Sequence, residues 1–371
     1  MPTKPAGSPE KAPVKPAKAP TAKAASTKAV TPKSPAAKSP AAKSPAPKSP
    51  ARRREPGQRD LFQLDSPLTG EIRGERSLMA FPFFALAKSA WMKPLAYHQG
   101  PISIEVRPSA NGVATIYDKE IVLYIASLMA AKLEVGEQVE QDFVFTAHDL
   151  FSVTGSNHSA RSYQRLSEAL ERLQGTQIKT NIEAGGEGEE GFFSWLSEAR
   201  LHYSKTRTGE KRLKAVKVRL CDWLYRAILR DRQVLDYAAA YFQLGPIERR
   251  IYEVARATGP DTPDAAPLEV DLATFRLQIG YQNPLANFRA ALKQIAGTDI
   301  IPDYDLALIE GEAPADAGEA RGRGRKAAPV SVVITRRALR LHDADPDAET
   351  ESGDERPSLR ESPADIDSPA G

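Results

Sequence analysis

Four side chains that can bind the edges of DNA bases lie near the start of one long amphipathic segment: Arg161, Ser162, Gln164 and Arg165. An arginine can donate two hydrogen bonds to O6 and N7 of guanine, and a glutamine can pair in the same way with adenine. Apolar residues recur behind them at helical spacing, so the segment is predicted to be a helix with these polar groups on its outer face. The residues of this helix that we predict to contact DNA are Ser159, Arg161, Ser162, Gln164, Arg165 and Arg172.

The pattern that would hold this helix occurs twice in the chain. A short amphipathic segment ends at glycine, a turn follows, and a longer amphipathic segment ends in Gly-Thr before an isoleucine-bearing strand. The first copy spans 145–180 and the second spans 270–304. Two helices followed by a pair of strands form the winged helix-turn-helix, which places its second helix in a DNA groove. If two copies lie on one face of a duplex, their half-sites are predicted to be one helical turn apart, ~10 bp from centre to centre.

The second long segment offers different outward residues. Asn283 is predicted to cap this helix, and Pro284 is predicted to be its first residue because proline fits the first helical position. An apolar stripe, predicted to face the core, consists of Leu285, Phe288, Leu292 and Ile295. The predicted DNA contacts of this helix are Asn287, Arg289 and Lys293.

Each pair of helices is followed by residues that predict a β-wing. The first wing is predicted as a hairpin of 177–182 and 192–203, closed by a further strand at 215–220. Its glycine-rich tip at 185–191 is acidic and would repel phosphate, so the basic residues after it are predicted to grip the DNA backbone. These residues are Lys205, Arg207, Lys211 and Arg212. In the second wing, predicted at 300–309 and 330–336, the cations of a glycine-spaced loop are predicted contacts, among them Arg323 and Arg325.

Charge is divided unevenly along the 371 residues. The stretch 1–54 carries about +12 and contains Lys-Ser-Pro at a period of five, whereas 343–371 carries about −8, which leaves the middle near −1. Neither end has the apolar residues that a core needs. The predicted fold class is therefore α+β, with two tandem winged-helix domains at 56–235 and 236–342 between disordered tails at 1–55 and 343–371. The second domain is predicted to carry a long wing loop at 310–329.

Several classes of protein are disfavoured by the sequence. The single cysteine, Cys221, excludes an internal disulfide and fits a reducing cytoplasm. No apolar run is long enough to cross a membrane, and no phosphate-binding loop of the ATPase type is present. The five histidines include no His-x-His pair and no helical i, i+4 pair that would hold a metal. We therefore predict a cytoplasmic protein, associated with the nucleoid or a plasmid, that is not an enzyme and needs no metal or cofactor.

Many separate segments in order resemble the plasmid replication initiator protein A family. They lie at 59–89, 106–131, 145–155, 162–186, 220–229 and 241–256, so the resemblance covers about 59–310 and excludes both tails. The resemblance implies binding to double-stranded origin repeats (iterons), opening of the adjacent origin DNA, and recruitment of the host replication initiator and the replicative helicase. It also implies dimers that bind the promoter of the protein's own gene and repress it.

Three other hypotheses are compatible with parts of the sequence. A winged-helix transcriptional autorepressor would share the fold without initiating replication. A rolling-circle nickase would use a tyrosine such as Tyr97, Tyr117 or Tyr163, although the chain lacks the histidine pair that such enzymes need for a metal. A DNA-coating protein would depend on the basic tail at 1–54, because cationic density alone confers salt-sensitive affinity for polyanions.

Overall fold

The structure is a computed structural model that describes residues 64–188, 191–311 and 329–338. The two predicted tails, 1–55 and 343–371, and most of the predicted loop at 310–329 lie outside these residues. In the described ranges the α-helices are α1 (Arg76–Ala80), α2 (Lys119–Glu134), α3 (Ala147–Thr154), α4 (Ala160–Gly175), α5 (Asp222–Arg226), α6 (Pro246–Thr258), α7 (Leu272–Ile279) and α8 (Leu285–Ala296). The strands are β1 (Arg73–Glu75), β2 (Leu95–Gln99), β3 (Ile102–Arg107), β4 (Asp142–Phe145), β5 (Gln177–Thr180), β6 (Leu196–Lys205), β7 (Lys211–Leu220), β8 (Val234–Asp236), β9 (Leu268–Asp271), β10 (Tyr304–Glu310) and β11 (Val330–Arg336). None of these helices is both long and apolar enough to span a membrane.

Local sequence explains where the two helix pairs begin and end. The side chain of Thr146 accepts a hydrogen bond from the backbone N–H of Asp149 at the start of α3, and Asp271 caps α7 in the same way. Both helices end at a glycine in the left-handed region, with φ of +69° at Gly155 and +77° at Gly280. The chain therefore reverses at the same point of both predicted copies.

The strands around the two helix pairs have one topology. In the first sheet β7 lies between β4 and β6, and in the second β11 lies between β9 and β10, with antiparallel pairing throughout. In each case the strand before the helix pair joins the last strand of the hairpin that follows it. We call β4, α3, α4, β6 and β7 the first module, and β9, α7, α8, β10 and β11 the second module.

The first hairpin differs from the prediction. The strand predicted to lead it, β5, pairs instead with β3 in a separate sheet, where Ile178 is fully buried. The hairpin consists of β6 and β7, and its turn lies at 206–210. The described part of the predicted acidic tip, 185–188, lies against α5 and the residues that follow it, because Glu187 pairs with Arg230 and lies 3.6 Å from Arg226. The end of the β6–β7 hairpin is therefore the basic segment at 205–212.

Two apolar cores underlie the modules. The first contains Phe143, Phe145 and much of α2, and the second contains Phe275, Phe288 and much of α6. Leu123 of α2 packs in the second core, so α2 contributes to both. The predicted domain boundary at 235/236 falls inside β8, which pairs with β1.

A buried charge cluster joins α2 to α6, and it consists of Lys119, Arg250 and Glu253. The Lys119 ammonium lies 2.6 Å from one carboxylate oxygen of Glu253, and the Arg250 guanidinium lies 2.7 Å from the other. Tyr241 donates a further hydrogen bond of 2.6 Å to Glu253. The three charged side chains are at most 2% exposed, so they are held inside the protein by each other.

Electrostatics within the cluster favour the ionised carboxylate. Burial alone would raise the pKa of Glu253, but the attraction of Lys119 and Arg250 outweighs it and leaves the pKa below its ordinary value. Burial lowers the pKa of Lys119 to about 8, against the attraction of Glu253, so the ammonium remains charged at neutral pH. Arg250 also donates to the carbonyl of Gln278, which lies in α7 of the second module.

Candidate nucleic-acid interface

Helix α4 presents the predicted base-contacting residues to solvent. Arg161, Gln164 and Arg165 are exposed, while the opposite face is buried through Leu166, Ala169, Leu170 and Leu173. Neither arginine has a hydrogen-bond or ion-pair partner within the described part of the chain, and Gln164 donates to Glu168 at 2.9 Å. The two guanidinium groups are therefore free to bind an acceptor outside the protein.

Ser159 and Ser162 have a local structural role at the start of α4. The Ser159 hydroxyl accepts a hydrogen bond of 3.3 Å from the backbone N–H of Ser162, and the two hydroxyl groups lie 3.1 Å apart. Ser159 is exposed and Ser162 is half-buried. Both side chains thus fix the helix end beside Arg161, and their predicted contacts with DNA remain predictions.

Arg172 does not face outward as predicted. Its guanidinium donates two hydrogen bonds of 2.7 Å to Asp118, and its side chain is only 14% exposed. The hydrogen bonds with this carboxylate raise the pKa of Arg172 above its ordinary value. Asp118 precedes α2, so the pair ties the C-terminal half of α4 to that helix. The outward prediction was wrong because sequence periodicity gives the angle around α4 but not the acidic partner beside it.

Arg161 and Arg165 also border a cleft of about 730 Å³ beside α4. Its far wall includes Gln243 and Arg249, which lie between the two modules along the chain. Arg249 is neutralised by Glu120 at 2.7 Å. The α4 arginines thus lie on the flank of the helix that is turned toward this cleft.

The hairpin of the first module carries exposed positive charge at its end. Lys205, Arg207, Lys211 and Arg212 are all exposed, and Lys205 is directly opposite Lys211 in the strand register. Like charges opposite one another repel, and a phosphate between them would relieve that repulsion. Farther from the end, basic residues are paired: Lys217 and Arg219 lie 3.5 and 3.4 Å from Asp142. Free cations are thus concentrated where the hairpin extends farthest.

Helix α8 differs from α4 in how its cations are used. Arg289 and Lys293 both contact the Glu310 carboxylate, at 2.6 and 2.9 Å, whereas Asn287 is exposed. Those two hydrogen-bond donors lower the pKa of Glu310. The contact of Glu310 was not predicted, because this residue lies at the end of β10 and reaches α8 only through the fold. Arg323 and Arg325 lie outside the described residues.

The start of α8 also differs from the prediction. The helix begins at Leu285 after Pro284, and the Asn283 side chain does not cap it. Leu285 was predicted to face the core but is 39% exposed. Phe288, Leu292 and Ile295 suffice to anchor α8, and Leu285 lies one turn before them, beyond the edge of the core.

Two histidines meet beside the helix-turn-helix of the first module. The Nδ1 atoms of His148 and His158 lie 3.3 Å apart, with ring centroids separated by 4.4 Å. They are ten residues apart across a turn, which matches no metal-binding spacing, so no sequence pattern predicts this contact. Within the described residues, no group of three or more His, Cys, Asp or Glu side chains is arranged to hold a metal ion.

Several known proteins are similar to large parts of this chain. A protein of Wigglesworthia glossinidia brevipalpis described as "Putative replication protein" is 28% identical over 258 residues, which cover 67% of this chain and 89% of that protein. Among solved structures, domains 2 and 3 of RctB are 13% identical, with a TM-score of 0.48 over 71% of this chain and 98% of that chain. The Pi initiator protein, solved in complex with iteron DNA, is 11% identical, with a TM-score of 0.39 over 60% of this chain and 92% of that chain.

The family comparison covers more than half of the chain. The sequence profile of the family described as "Replication initiator protein A" matches residues 73–306. The match includes both helix pairs and the buried charge cluster, and it ends within β10. The chain belongs to the replication initiator protein A family.

Proposed function

We propose that this protein initiates plasmid or chromid replication by binding repeated double-stranded DNA sequences at an origin. In this proposal both modules are winged helices, α4 and α8 enter successive major grooves, and the β6–β7 hairpin contacts the phosphate backbone. The observation that carries the proposal is the exposed pair Arg161 and Arg165 on α4, next to a hairpin with exposed cations at its end, none of which has a partner among the described residues. Family membership supports a role in replication.

The two parts of this surface would make different contributions to binding. Arginines near the start of a recognition helix can discriminate guanine from other bases, by about 1–3 kcal/mol for a good bidentate contact. Lysines and arginines at the hairpin end would neutralise phosphates and release counterions, which gives affinity without sequence preference. Neither contribution requires the chain to make or break a covalent bond, so the proposed function is non-enzymatic.

Further steps in initiation form part of the same proposal. Once bound to the repeats, the protein would promote opening of adjacent origin DNA and recruit the host replication initiator and the replicative helicase. A dimer of the protein would bind its own promoter and repress it. Membership of the replication initiator family supports these steps, and opening can be measured as permanganate reactivity of unpaired thymines next to the bound repeats.

The test of the proposal is a footprint of the full-length protein on the DNA flanking its own gene, repeated across a salt series. We expect protection of regularly spaced direct repeats that survives an excess of random DNA. Diffuse protection that disappears as salt rises would contradict sequence-specific binding and leave a DNA-coating protein. Protection confined to a promoter, in a replicon that is maintained without the gene, would support the autorepressor instead.

A further inference from the structure

The outward face of α8 is apolar at its centre. Phe288, Leu292 and Ile295 point into the core, and the residues half a turn away are Ala286 and Ala290, both exposed. Asn287 is exposed beside them. The N-terminal half of the face that α8 would place in a groove therefore consists of Ala286, Asn287 and Ala290, with Leu285 exposed at its edge and Lys293 and Gln294 exposed one turn farther on.

Positive charge on α8 is held to one side of this face. Arg289 and Lys293 both contact the carboxylate of Glu310, at 2.6 and 2.9 Å. A guanidinium held by a carboxylate has fewer N–H groups and less net charge available for the acceptor atoms of guanine. On α4, by contrast, Arg161 and Arg165 have no partner within the described residues.

We propose that α8 recognises A·T base pairs, with Ala286 and Ala290 against thymine 5-methyl groups and Asn287 bound to adenine. In the major groove only thymine carries a 5-methyl group, and small apolar side chains are suited to contact it. Asparagine can bind N6 and N7 of adenine together. The inference rests on the proposed function and adds to it a specificity: the half-site of α8 is A·T-reading, whereas that of α4 contains guanine.

The test changes single chemical groups of the DNA bases and leaves the protein unchanged. Each thymine of the footprinted repeat is replaced by uracil, which lacks the 5-methyl group, and the dissociation constant of the full-length protein is measured. A methyl group buried against alanine is worth ~0.8 kcal/mol, so we expect about fourfold weaker binding for each contacted thymine. In a matched series each guanine is replaced by 7-deazaguanine, which lacks the N7 acceptor, and we expect losses in the other half-site.

Two protein variants assign the half-sites. Asn287→Ala should remove the preference for adenine at one position of the uracil-sensitive half. Arg161→Ala should leave the uracil penalties unchanged and reduce the 7-deazaguanine penalty in the other half. Both residues are exposed, so neither substitution should impair folding.

The possible failures are distinguishable. Specific protection of repeats combined with uracil penalties below twofold at every thymine would overturn the A·T inference and leave the proposed function intact. If Arg161→Ala changes the uracil penalties, the thymine contacts belong to α4, and the A·T inference for α8 is overturned. The absence of any repeat that outcompetes random DNA would overturn the proposed function, and the inference with it.

Discussion

The two modules share a topology but differ in the charges that they leave free. In both, the strand before the helix pair joins the last strand of the hairpin, and a left-handed glycine ends the first helix. In the first module Arg161 and Arg165 have no partner among the described residues, whereas in the second Arg289 and Lys293 share Glu310. One fold can therefore carry two different arrangements of charge, because the outer residues of the second helix take no part in packing.

The largest effect should come from breaking what holds the modules together. Glu253→Gln removes the carboxylate from the buried charge cluster and leaves Lys119 and Arg250 without their counter-charge. Removing one partner of a buried ion pair costs about 3–5 kcal/mol, and we expect that loss in the free energy of unfolding measured with denaturant. The control is Glu269→Gln, at an exposed residue of β9, which should change stability by less than about 0.5 kcal/mol. Equal stability of the two variants would show that the cluster does not bind the modules together.

The same cluster predicts a dependence on pH. Because the folded-state pKa of Glu253 lies below its ordinary value of 4.5, its contribution to stability is complete above that pH. It is lost as the pH falls through the folded-state pKa, since both states then bind the proton. The difference in unfolding free energy between the wild type and Glu253→Gln should therefore shrink below pH 4.5. A difference that grows on acidification would contradict the direction of the shift.

Arginine substitutions compare the two helices directly. Arg165→Ala should weaken binding to the repeat by about 1–3 kcal/mol and relax the preference for one base, because a free guanidinium can bind guanine. Arg289→Ala should cost less, since Glu310 already holds that guanidinium. Dissociation constants for the repeat and for random DNA measure both effects. Equal losses on the two DNAs would assign Arg165 to phosphate contact, and a larger loss for Arg289 would reverse the comparison.

The hairpin end should affect salt dependence more than specificity. A Lys205→Ala, Lys211→Ala variant removes two exposed cations that lie opposite one another. Each lost phosphate contact should reduce the slope of log K against log salt by about 0.9, so a change of roughly 2 is expected on specific and random DNA alike. Lys217→Ala, whose ammonium already lies near Asp142, provides the control with a smaller change. A loss confined to the specific repeat would contradict a role in backbone contact.

The smallest effect is expected from releasing the cations of the second module. Glu310→Gln should free Arg289 and Lys293 and make α8 resemble α4 more closely. We expect tighter binding to random DNA and a steeper salt dependence, with a reduced ratio of specific to random affinity. Glu269→Gln again serves as control, because it removes one negative charge from the same module away from α8. Unchanged binding by Glu310→Gln would show that DNA already displaces this carboxylate in the wild type.

Sequence periodicity was sufficient for the elements whose signals are local. Both helix pairs and the glycines that end α3 and α7 follow from apolar spacing and helix-ending residues, although the predicted cap of α8 at Asn283 is absent. The second predicted pair of strands is also present as β10 and β11, although β10 begins at Tyr304 and not at 300. These features depend on neighbours within a few residues, so a single sequence contains the information that fixes them.

Errors occurred where a residue meets a partner from a distant part of the chain. β5 was assigned to the wing because it follows α4, but its alternating residues equally fit the sheet that contains β3. Arg172 has the periodicity of an exposed residue and becomes half-buried through Asp118, 54 positions earlier. The pairing of Glu310 with α8 and the contact of His148 with His158 likewise depend on tertiary structure. Which cations are paired with a carboxylate, and which are not, therefore depends on tertiary contacts that the sequence pattern does not predict.

The buried charge cluster has a consequence for the proposed binding to DNA. Since α2 packs with the first module, and α6 with the second, an ion pair between α2 and α6 would hold α4 and α8 in one relative orientation before DNA is bound. Such preorganisation would give the second helix a high effective concentration at its half-site once the first is bound. It would also make binding depend on the helical phase of the DNA, that is, on which side of the duplex each half-site lies. An insertion of about 5 bp between half-sites turns one of them to the opposite side of the duplex and leaves a single module engaged, whereas an insertion of about 10 bp restores the side but not the distance.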